Sequence, residues 1–390
     1  MRVLHTSDWH LGKKIYRESR LEEQADFLKW LLAEIEDQSI DVLIIAGDIF
    51  DVPTPPNDAH KLYNDFLNSA CKLCHSIIII SGNHDSGDFL KATQTFTEEK
   101  NIYIFDKLRP IKKENELKLN INGQVVNFTC LPYFRNIELH QYYQANFEQD
   151  KPESWREDSL THLMQNDYEN CKIAISHHAY GNYSATGSEH TLSLAGLDSL
   201  SLGIFKDYDY VALGHIHQYQ KLSSKPLSFY TGSPIPMRFS ESKQKYYNLL
   251  DIKNNQINIE KREIPSFREI IQIKTNSENY IEDINLALTD IDSRRMPFIE
   301  VKIKMLSTLA GMSETIKDLC EKHSAKLLNI IPILEYIDEE NEENKIDIQK
   351  LSPLELFEVY YHSKYPNSEV NQSLKSKFNE LISEIKNEDS

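Results

Sequence analysis

The sequence predicts an α/β fold built around a parallel sheet, and two observations lead to this fold class. Residues 41–46 and 76–81 form continuous apolar runs, which are typical of strands covered on both faces. A strand at 3–6 and helical segments at 21–36 and 58–74 alternate with these runs. Alternation of this kind implies parallel strands that are joined by helices.

The helix predicted at 21–36 packs one face on that sheet. Its apolar residues recur at helical spacing. They are Leu21, Ala25, Leu28, Leu32 and Ile35.

The middle of the chain predicts a second sheet packed on the first. Residues 102–105, 117–121 and 125–130 read as short strands, and Asn122-Gly123 is typical of a hairpin turn. Strands at 172–176 and 208–213 then return, and each leads into histidines. Segments 228–230, 246–251 and 256–261 close this domain with antiparallel pairs.

A smaller domain is predicted beyond residue 264. Strands at 270–275, 298–303 and 325–331 alternate with helices at 280–291 and 313–321, which gives a β-α-β-α-β order. An acidic stretch follows and reads as a linker. We therefore expect four parts, with boundaries at 1–264, 265–337, 338–351 and 352–390.

The last part begins with a strong helix start. Ser352-Pro353-Leu354-Glu355 combines a capping box with proline at the first helical position. Apolar residues then recur on one helical face at Leu374, Phe378, Leu381, Ile382 and Ile385. Short amphipathic helices have little core of their own, so this face docks either on the chain itself or on a partner.

Composition limits the class of protein. A chain of 390 residues with 40% hydrophobic content is too long for one ordinary core and indicates two or three domains. No apolar stretch approaches the ~18 residues of a membrane span, and the first residues lack a signal-peptide pattern, so we expect a cytoplasmic protein. Five scattered cysteines favour reduced thiols. The C-x-x-C at Cys71 and Cys74 is better explained by buried helix residues than by a zinc or redox site.

A net charge of -17 argues against a protein that coats nucleic acid with its whole surface. A local basic track remains compatible with this charge, and its candidates are Lys13, Lys14, Arg17 and Arg20, with Arg135 and Arg238 further along the chain. Each has an alternative explanation, which is a solvated loop or a pair with a nearby carboxylate.

Oxygen and imidazole side chains follow five of the predicted strands. They are Asp8 and His10, Asp48, Asn83 to Asp85, His177 and His178, and His215 and His217. Strand ends that converge on one sheet edge can supply the ligands of two metal ions, which no single loop supplies without crowding like charges. Two ions ~3.5 to 4 Å apart would clamp a phosphodiester and make a hydroxide for in-line displacement.

The ligands divide between two ions. Asp8 and His10 are two apart on an extended segment and can share one ion with His217. Asp48 could bridge both ions, and the second ion would take its other ligands from Asn83, His177 and His215. This mixed oxygen and nitrogen set favours manganese or iron over magnesium or a thiolate zinc site.

His178, His84 and Asp85 are neighbours of predicted ligands but are not expected to bind metal. Strand alternation sends His177 and His178 to opposite faces, so only one is a ligand, and we favour His177. His84 faces the phosphate as general acid for the leaving oxygen or stabilises charge in the transition state. Asp85 orients His84 or a strand-end backbone.

The motifs as a set resemble the calcineurin-like metallophosphoesterase superfamily and, within it, the SbcD family of nuclease subunits. They are Thr6-Ser-Asp-Trp-His-Leu-Gly12, Ala46-Gly-Asp-Ile-Phe-Asp51, Ser81-Gly-Asn-His-Asp85, Ala212-Leu-Gly-His-Ile-His217 and Tyr230-Thr-Gly-Ser-Pro234. The resemblance implies a four-layer αββα sandwich with a small α/β capping domain and C-terminal helices. It also implies that Asp8, His10, Asp48, Asn83, His177, His215 and His217 are metal ligands and that His84 is the catalytic histidine.

The resemblance further implies a manganese-dependent nuclease in double-strand-break repair, with 3′ to 5′ exonuclease and single-strand or hairpin endonuclease activity. Its expected partner is an SbcC-like SMC family ATPase that binds the C-terminal helices, with a homodimer inside a heterotetramer. Relatives often carry a histidine near the position of Asp51, so Asp51 is expected to orient a lysine or arginine instead. The alternatives are a phosphoesterase for a small phosphodiester or phosphoprotein, and a scaffold with an inactive site, which the complete ligand set disfavours.

Overall fold

A computed structural model describes residues 1–94, 101–148, 151–185, 199–289, 291, 294–305 and 311–334, together with 354, 357, 358, 361, 370–372 and 374–378. The chain divides into two units, Met1–Leu334 and Glu335–Ser390. The predicted acidic linker, most of the predicted capping box and residues 381–385 lie outside the described residues. None of the described helices is long and apolar enough to cross a membrane.

The first unit contains the following strands and helices in chain order. The strands are β1 (Arg2–Thr6), β2 (Lys14–Ile15), β3 (Glu18–Ser19), β4 (Val42–Ala46), β5 (Ser76–Ile80), β6 (Ile102–Phe105), β7 (Glu116–Ile121), β8 (Gln124–Leu131), β9 (Cys171–His177), β10 (Tyr210–Gly214), β11 (Gln220–Ser224), β12 (Leu227–Tyr230), β13 (Lys245–Lys253), β14 (Gln256–Ile264), β15 (Ile270–Asn276), β16 (Phe298–Met305) and β17 (Lys326–Leu334). The helices are α1 (Leu21–Asp37), α2 (Asn57–Ala70), α3 (Gly87–Gln94), α4 (Asn136–Asn146), α5 (Trp155–Met164), α6 (Tyr280–Leu288) and α7 (Met312–Lys322).

Two six-stranded sheets form the centre of this unit. The first has the order β14-β13-β1-β4-β5-β6, and the second has the order β11-β12-β10-β9-β8-β7. Strands β1, β4, β5 and β6 are parallel, as are β12, β10, β9 and β8. In each sheet, the carboxyl ends of the central strands therefore lie at the same edge. Ligand-bearing loops are found at this edge in α/β proteins.

The layers are those of the predicted αββα sandwich. One core packs α1, α2 and α3 against the first sheet, a second fills the space between the sheets, and a third packs α4 and α5 against the second sheet. The central strands β4 and β5 are buried along their whole length, as their continuous apolar sequences predicted. The predicted fold class is confirmed.

One strand assignment was wrong. Residues 102–105 were expected in the second sheet, but β6 pairs in parallel with β5 at the edge of the first. The helix α3 between β5 and β6 makes this a parallel crossover like those before it, and the alternating burial of β6 fits a strand at an edge. Strand β12, expected in antiparallel pairs, is antiparallel to β11 but parallel to β10.

The segment after residue 264 forms a separate three-stranded parallel sheet with the order β15-β16-β17. Its own core joins one face of the sheet to α6 and α7 through residues such as Ile273, Val301 and Ile316. Ion pairs tie it to the first turns of α1. Arg268 contacts Glu22 at 3.0 Å and Glu23 at 2.6 Å.

The few described residues of the second unit include a small aromatic contact. The rings of Phe357 and Phe378 stack with centroids 4.4 Å apart, and Lys375 pairs with Glu358. The side chain of Leu374 is 39% exposed.

Candidate metal centre

The predicted ligands meet at the facing edges of the two sheets. Asp8 and His10 follow β1, Asp48 follows β4, and Asn83 follows β5 in the first sheet. His177 ends β9, and His215 and His217 follow β10 in the second sheet. The sequence analysis placed each of these residues at a strand end, and the pairing of the strands brings the ends together.

One half of the cluster joins His10 and His217. Their Nε2 atoms lie 3.1 Å apart, and the Nε2 atom of His10 is 3.5 Å from Oδ2 of Asp48. Ligand-type atoms of Asp8, His10 and His217 all lie within 4.8 Å of one another. These side chains are buried.

The other half is centred on Asn83. Its Oδ1 atom lies 3.2 Å from Nε2 of His177 and 3.0 Å from Nδ1 of His215. The Nε2 atom of His177 is also 3.3 Å from Oδ2 of Asp48. Asp48 therefore stands between the two halves, in the position that a bridging carboxylate requires.

The structure separates His177 from His178. The Nδ1 atom of His177 donates to the carbonyl oxygen of Ala46 at 2.7 Å, which turns Nε2 toward the cluster. His178 instead accepts the backbone N–H of Phe134 at 3.2 Å and stacks on Tyr133. This geometry supports the choice of His177.

The backbone around the cluster is strained. Asp8, His10, Asp48 and His215 all have positive φ, at 54°, 46°, 51° and 101°. Such conformations are costly for residues other than glycine and gather at functional sites, where the surrounding structure enforces them. The strain is independent evidence that these side chains are held for a function.

Two of the glycines beside the ligands are required by close packing. A Cβ atom on Gly82 would overlap Oδ1 and the backbone nitrogen of Asp48, and one on Gly214 would overlap the carbonyl oxygen of Ala46. A side chain at either position would push one strand end away from the other.

His84 lies beside the cluster and is half-buried. Its backbone N–H donates to Oδ1 of Asp48 at 2.9 Å, and its Nδ1 atom donates to the carbonyl oxygen of Asp51 at 2.7 Å. The ring packs edge-on against His10 with centroids 4.8 Å apart. His84 is therefore placed next to the predicted ligands.

Asp85 binds backbone, one of its two predicted roles. Its carboxylate accepts the N–H groups of Ile49 at 3.2 Å, Phe50 at 3.0 Å and Gly82 at 2.8 Å. Burial, together with the nearby charge of Asp48, raises the pKa of Asp85 to about 6. The residue ties the loop after β4 to the loop after β5.

Asp51 contacts a lysine, as expected. Its Oδ1 atom lies 2.8 Å from Nζ of Lys13 and 3.4 Å from Nδ1 of His10. Although burial opposes ionisation, His10 and Lys13 lower the pKa of Asp51 to about 2. Asp51 thus links a predicted ligand to the basic loop after β1.

The charges of the cluster are strongly coupled. Burial raises the pKa of Asp8, whereas His177 and its neighbours outweigh burial at Asp48 and hold the pKa of that carboxyl well below its usual range. Burial disfavours the charged form of His177, but Asp48 raises its pKa to about 9. Buried carboxylates facing imidazole nitrogens are stable when cations lie among them, so the donor set fits divalent metal ions.

Sequence reasoning missed a buried ion pair behind His217. Glu241 Oε2 accepts from Nζ of Lys245 at 2.7 Å, and its Oε1 atom lies 3.8 Å from Nδ1 of His217. Lys245 also donates to the carbonyl oxygen of His217 at 3.2 Å and to Oγ of Ser233 at 3.0 Å. No motif singles out Glu241, since only the fold brings it to His217.

The predicted basic track is partly corrected. Lys14 and Arg17 are exposed, and Lys13 is partly exposed beside Asp51. Arg20 is 1% exposed, and its guanidinium binds Glu23 and the carbonyl oxygen of Pro236. The prediction of Arg20 as a DNA contact was therefore wrong, because its guanidinium is buried and binds groups inside the protein.

Arg135 is exposed but pairs with a local carboxylate. Its Nη2 atom lies 2.6 Å from Oε1 of Glu138, three residues on. A pair with a nearby carboxylate was the alternative explanation that the sequence left open for Arg135.

The five cysteines are all free, and Cys74 is buried. Burial raises the pKa of Cys74 to about 12, which suits a packing role for this residue of the C-x-x-C.

The chain is similar to proteins of one known family. Residues 1–219 match the calcineurin-like phosphoesterase family. A protein of Bacillus subtilis (strain 168), named as a subunit of the nuclease SbcCD, is 27% identical over 404 residues that cover 100% of both chains. A protein of the same name from Escherichia coli (strain K12) is 28% identical over 345 residues, which cover 84% of each chain. Among solved structures, a dimetal phosphatase from Danio rerio covers 68% of this chain and 99% of its own, at 12% identity and a TM-score of 0.40, which is too distant to bear on the site.

Proposed function

This chain belongs to the calcineurin-like phosphoesterase family, and from that premise we propose that it is a manganese-dependent DNA nuclease that acts on DNA ends and hairpins. The observation that carries the proposal is the extent of the likeness to the nuclease subunits. It continues beyond the phosphoesterase region and, for one relative, covers all of both chains. A phosphoesterase for a small substrate has no need of the segments after residue 264.

Seven side chains would hold the ions. Asp8, His10 and His217 would bind one ion, and Asn83, His177 and His215 would bind the other, with Asp48 between the two groups. Bound there, divalent cations supply Lewis acidity that activates water and offsets the charge of the phosphate. Nitrogen donors from four histidines favour manganese over magnesium, which prefers oxygen.

The chain's own residues would handle the proton. The carbonyl oxygen of Asp51 accepts from Nδ1 of His84, so Nε2 is the nitrogen that donates a proton to the leaving oxygen. The backbone bond to Asp48 fixes the ring next to the phosphate site. Asp85 supports both by holding the two loops at a constant separation.

We propose 3′ to 5′ exonuclease polarity on duplex DNA and endonuclease activity on single strands and hairpins, in double-strand-break repair. The domain boundaries proposed for this activity are 1–264 for the nuclease, 265–337 for a capping domain, 338–351 for a linker and 352–390 for C-terminal helices. The segment after residue 264 has its own sheet and core and contacts α1, which supports a capping domain next to the nuclease domain.

The proposed partner is an SbcC-like SMC family ATPase that binds the C-terminal helices, within a heterotetramer built on a homodimer. Both relatives are named as subunits of SbcCD, which supports a complex for this chain. The exposed side chain of Leu374 is available to such a partner.

The test is degradation of linear duplex and hairpin DNA by the purified chain with its ATPase partner, in manganese and in magnesium. We expect cleavage in manganese, and loss of cleavage in the variant His84→Ala with the metal content unchanged. Hydrolysis of a cyclic nucleotide with DNA left intact would instead identify a small-molecule phosphodiesterase. Metal binding without either activity would identify a scaffold.

A further inference from the structure

We infer that the open face of the β15-β16-β17 sheet binds the phosphodiester backbone of single-stranded DNA and leads that strand to the metal centre. The inference rests on the proposed nuclease function and adds a binding surface to it. Helices α6 and α7 pack on the other face of this sheet, through residues such as Ile273, Ile299 and Val301.

The open face carries three lysines on neighbouring positions. Lys274 of β15 and Lys302 of β16 are partners in the parallel register, and Lys304 lies two residues further along β16 on the same face. They line a depression of about 550 Å³ together with Thr275, Asn276, Asp283 and Ile333. Like charges placed opposite each other on adjacent strands destabilise a sheet, so this arrangement costs stability unless an anion offsets the charge.

The overall charge of the chain makes the cluster unusual. The net charge is -17, yet the carboxylates of Glu300 and Asp283 next to this face accept hydrogen bonds from uncharged groups. Glu300 accepts from the hydroxyl of Tyr16 and, at 2.6 Å, from Nε2 of Gln272. Asp283 accepts the hydroxyl of Thr275 at 2.5 Å. Among the described residues, Lys274 and Lys302 form no ion pair.

A cleft of about 390 Å³ connects this face to the nuclease domain. Glu300, Lys302 and Ile331 line its sheet side. Lys13, Lys14 and Arg238 line its nuclease side. Lys13 pairs with Asp51, which lies beside the predicted ligand His10. The cations therefore follow one path from the open sheet face to the metal centre. A DNA backbone bound along this path would meet positive charge over its whole length.

Aromatic and apolar side chains along the path favour a single strand over a duplex. Tyr16 is 48% exposed, and its ring stacks with that of Phe239 at a centroid distance of 6.1 Å in the same cleft. Ile333, on the sheet face, is 40% exposed. A cationic groove with exposed rings binds single strands, whose bases are available for stacking, whereas a duplex keeps its bases paired inside.

The experiment measures binding of the full-length chain to fluorescein-labelled oligothymidylate by anisotropy, with EDTA present so that nothing is cleaved. We compare the wild type with the variant Lys274→Gln/Lys302→Gln/Lys304→Gln over a range of salt concentrations. The matched control is Lys317→Gln/Lys322→Gln, on helix α7 of the same domain. Circular dichroism and thermal melting check that each variant is folded.

We expect the triple variant to bind about tenfold or more weakly, with a salt slope smaller by about 2, because each phosphate contact on a single strand contributes about 0.7. The control should keep the wild-type slope. Tyr16→Ala should weaken binding by about tenfold without changing the slope, since it removes stacking and no cation.

An unchanged slope in the triple variant, or an equal change in the control, would overturn the inference. So would a loss of affinity that appears with duplex DNA but not with oligothymidylate. None of these three results affects the proposed nuclease function, which depends on cleavage by the wild type in manganese. Failure of that cleavage would remove the proposed function whatever the binding data.

Discussion

The Nδ1 atom of His84 lies 2.7 Å from the backbone carbonyl oxygen of Asp51. A carbonyl oxygen only accepts hydrogen bonds, so Nδ1 carries a hydrogen, and in the proposed reaction Nε2 would be the ring nitrogen that exchanges a proton with the substrate. The backbone N–H of His84 donates to Oδ1 of Asp48 at 2.9 Å, and a side-chain substitution keeps this bond. Proton transfer and metal binding can therefore be separated by mutation.

His84→Gln should lower the cleavage rate by about 10² to 10⁴, the usual contribution of a general acid or base. Glutamine keeps a polar group at the site but does not deliver a proton. Binding of Mn²⁺, measured by isothermal titration calorimetry, should stay within a few fold of the wild type. A variant that cleaves DNA at close to the wild-type rate would contradict the role given to His84.

Gly82→Ala should damage the metal centre from outside the ligand set. The added Cβ overlaps Oδ1 of Asp48, so the loops after β4 and β5 must move apart, at a cost of about 3 kcal/mol. We expect a lower melting temperature and weaker Mn²⁺ binding. Gly203→Ala is the control, because its Cβ meets only the rotatable hydroxyl of Ser201 at 3.2 Å. Equal melting temperatures for the two variants would refute the steric argument.

Lys245→Met should destabilise the fold by about 3 kcal/mol, because it leaves the carboxylate of Glu241 buried without its cation. The double variant Lys245→Met/Glu241→Gln should recover part of this loss, since the buried charge is then absent. Urea unfolding of the wild type, both single variants and the double variant gives the coupling energy. Simple additivity of the two single changes would mean that the pair is not coupled.

The sequence predicts the positions of the predicted ligands better than those of the residues that pack around them. The clustering of the predicted ligands could be expected because each follows an apolar run, and parallel strands place such ends at one edge of a sheet. Alternation along β9 also distinguished His177 from His178, and the structure places only His177 at the cluster. Local pattern was sufficient in these cases because the side-chain direction follows from strand geometry.

Other features required the tertiary structure. Arg20 looks like part of an exposed basic loop, but the packing of α1 buries it against Glu23. Helices α4 and α5 were not predicted, since their apolar residues are not gathered on one face. Glu241 acquires its role only when the loop before β13 reaches His217. Sequence spacing contains no information on such contacts between distant segments.

The stability of the protein should fall in mild acid partly because of His5. This side chain is buried between the sheets, and its Nδ1 atom accepts the hydroxyl of Tyr210 at 2.9 Å, which Asn248 supports from the other side at 2.8 Å. Burial lowers the pKa of His5 to about 3. The unfolded chain, with an ordinary histidine pKa of about 6.5, therefore binds the extra proton between these two values.

Because the unfolded state binds more protons, the free energy of unfolding decreases as the pH falls through this window, by up to about 1.4 kcal/mol per pH unit from His5 alone. His5→Asn keeps an acceptor for Tyr210 but does not titrate. Urea unfolding gives the free energy of unfolding of both proteins at pH 7 and pH 5. The wild-type value minus the variant value should be about 2 kcal/mol smaller at pH 5 than at pH 7. A difference that stays constant between the two pH values would mean that His5 is not held neutral in the folded state.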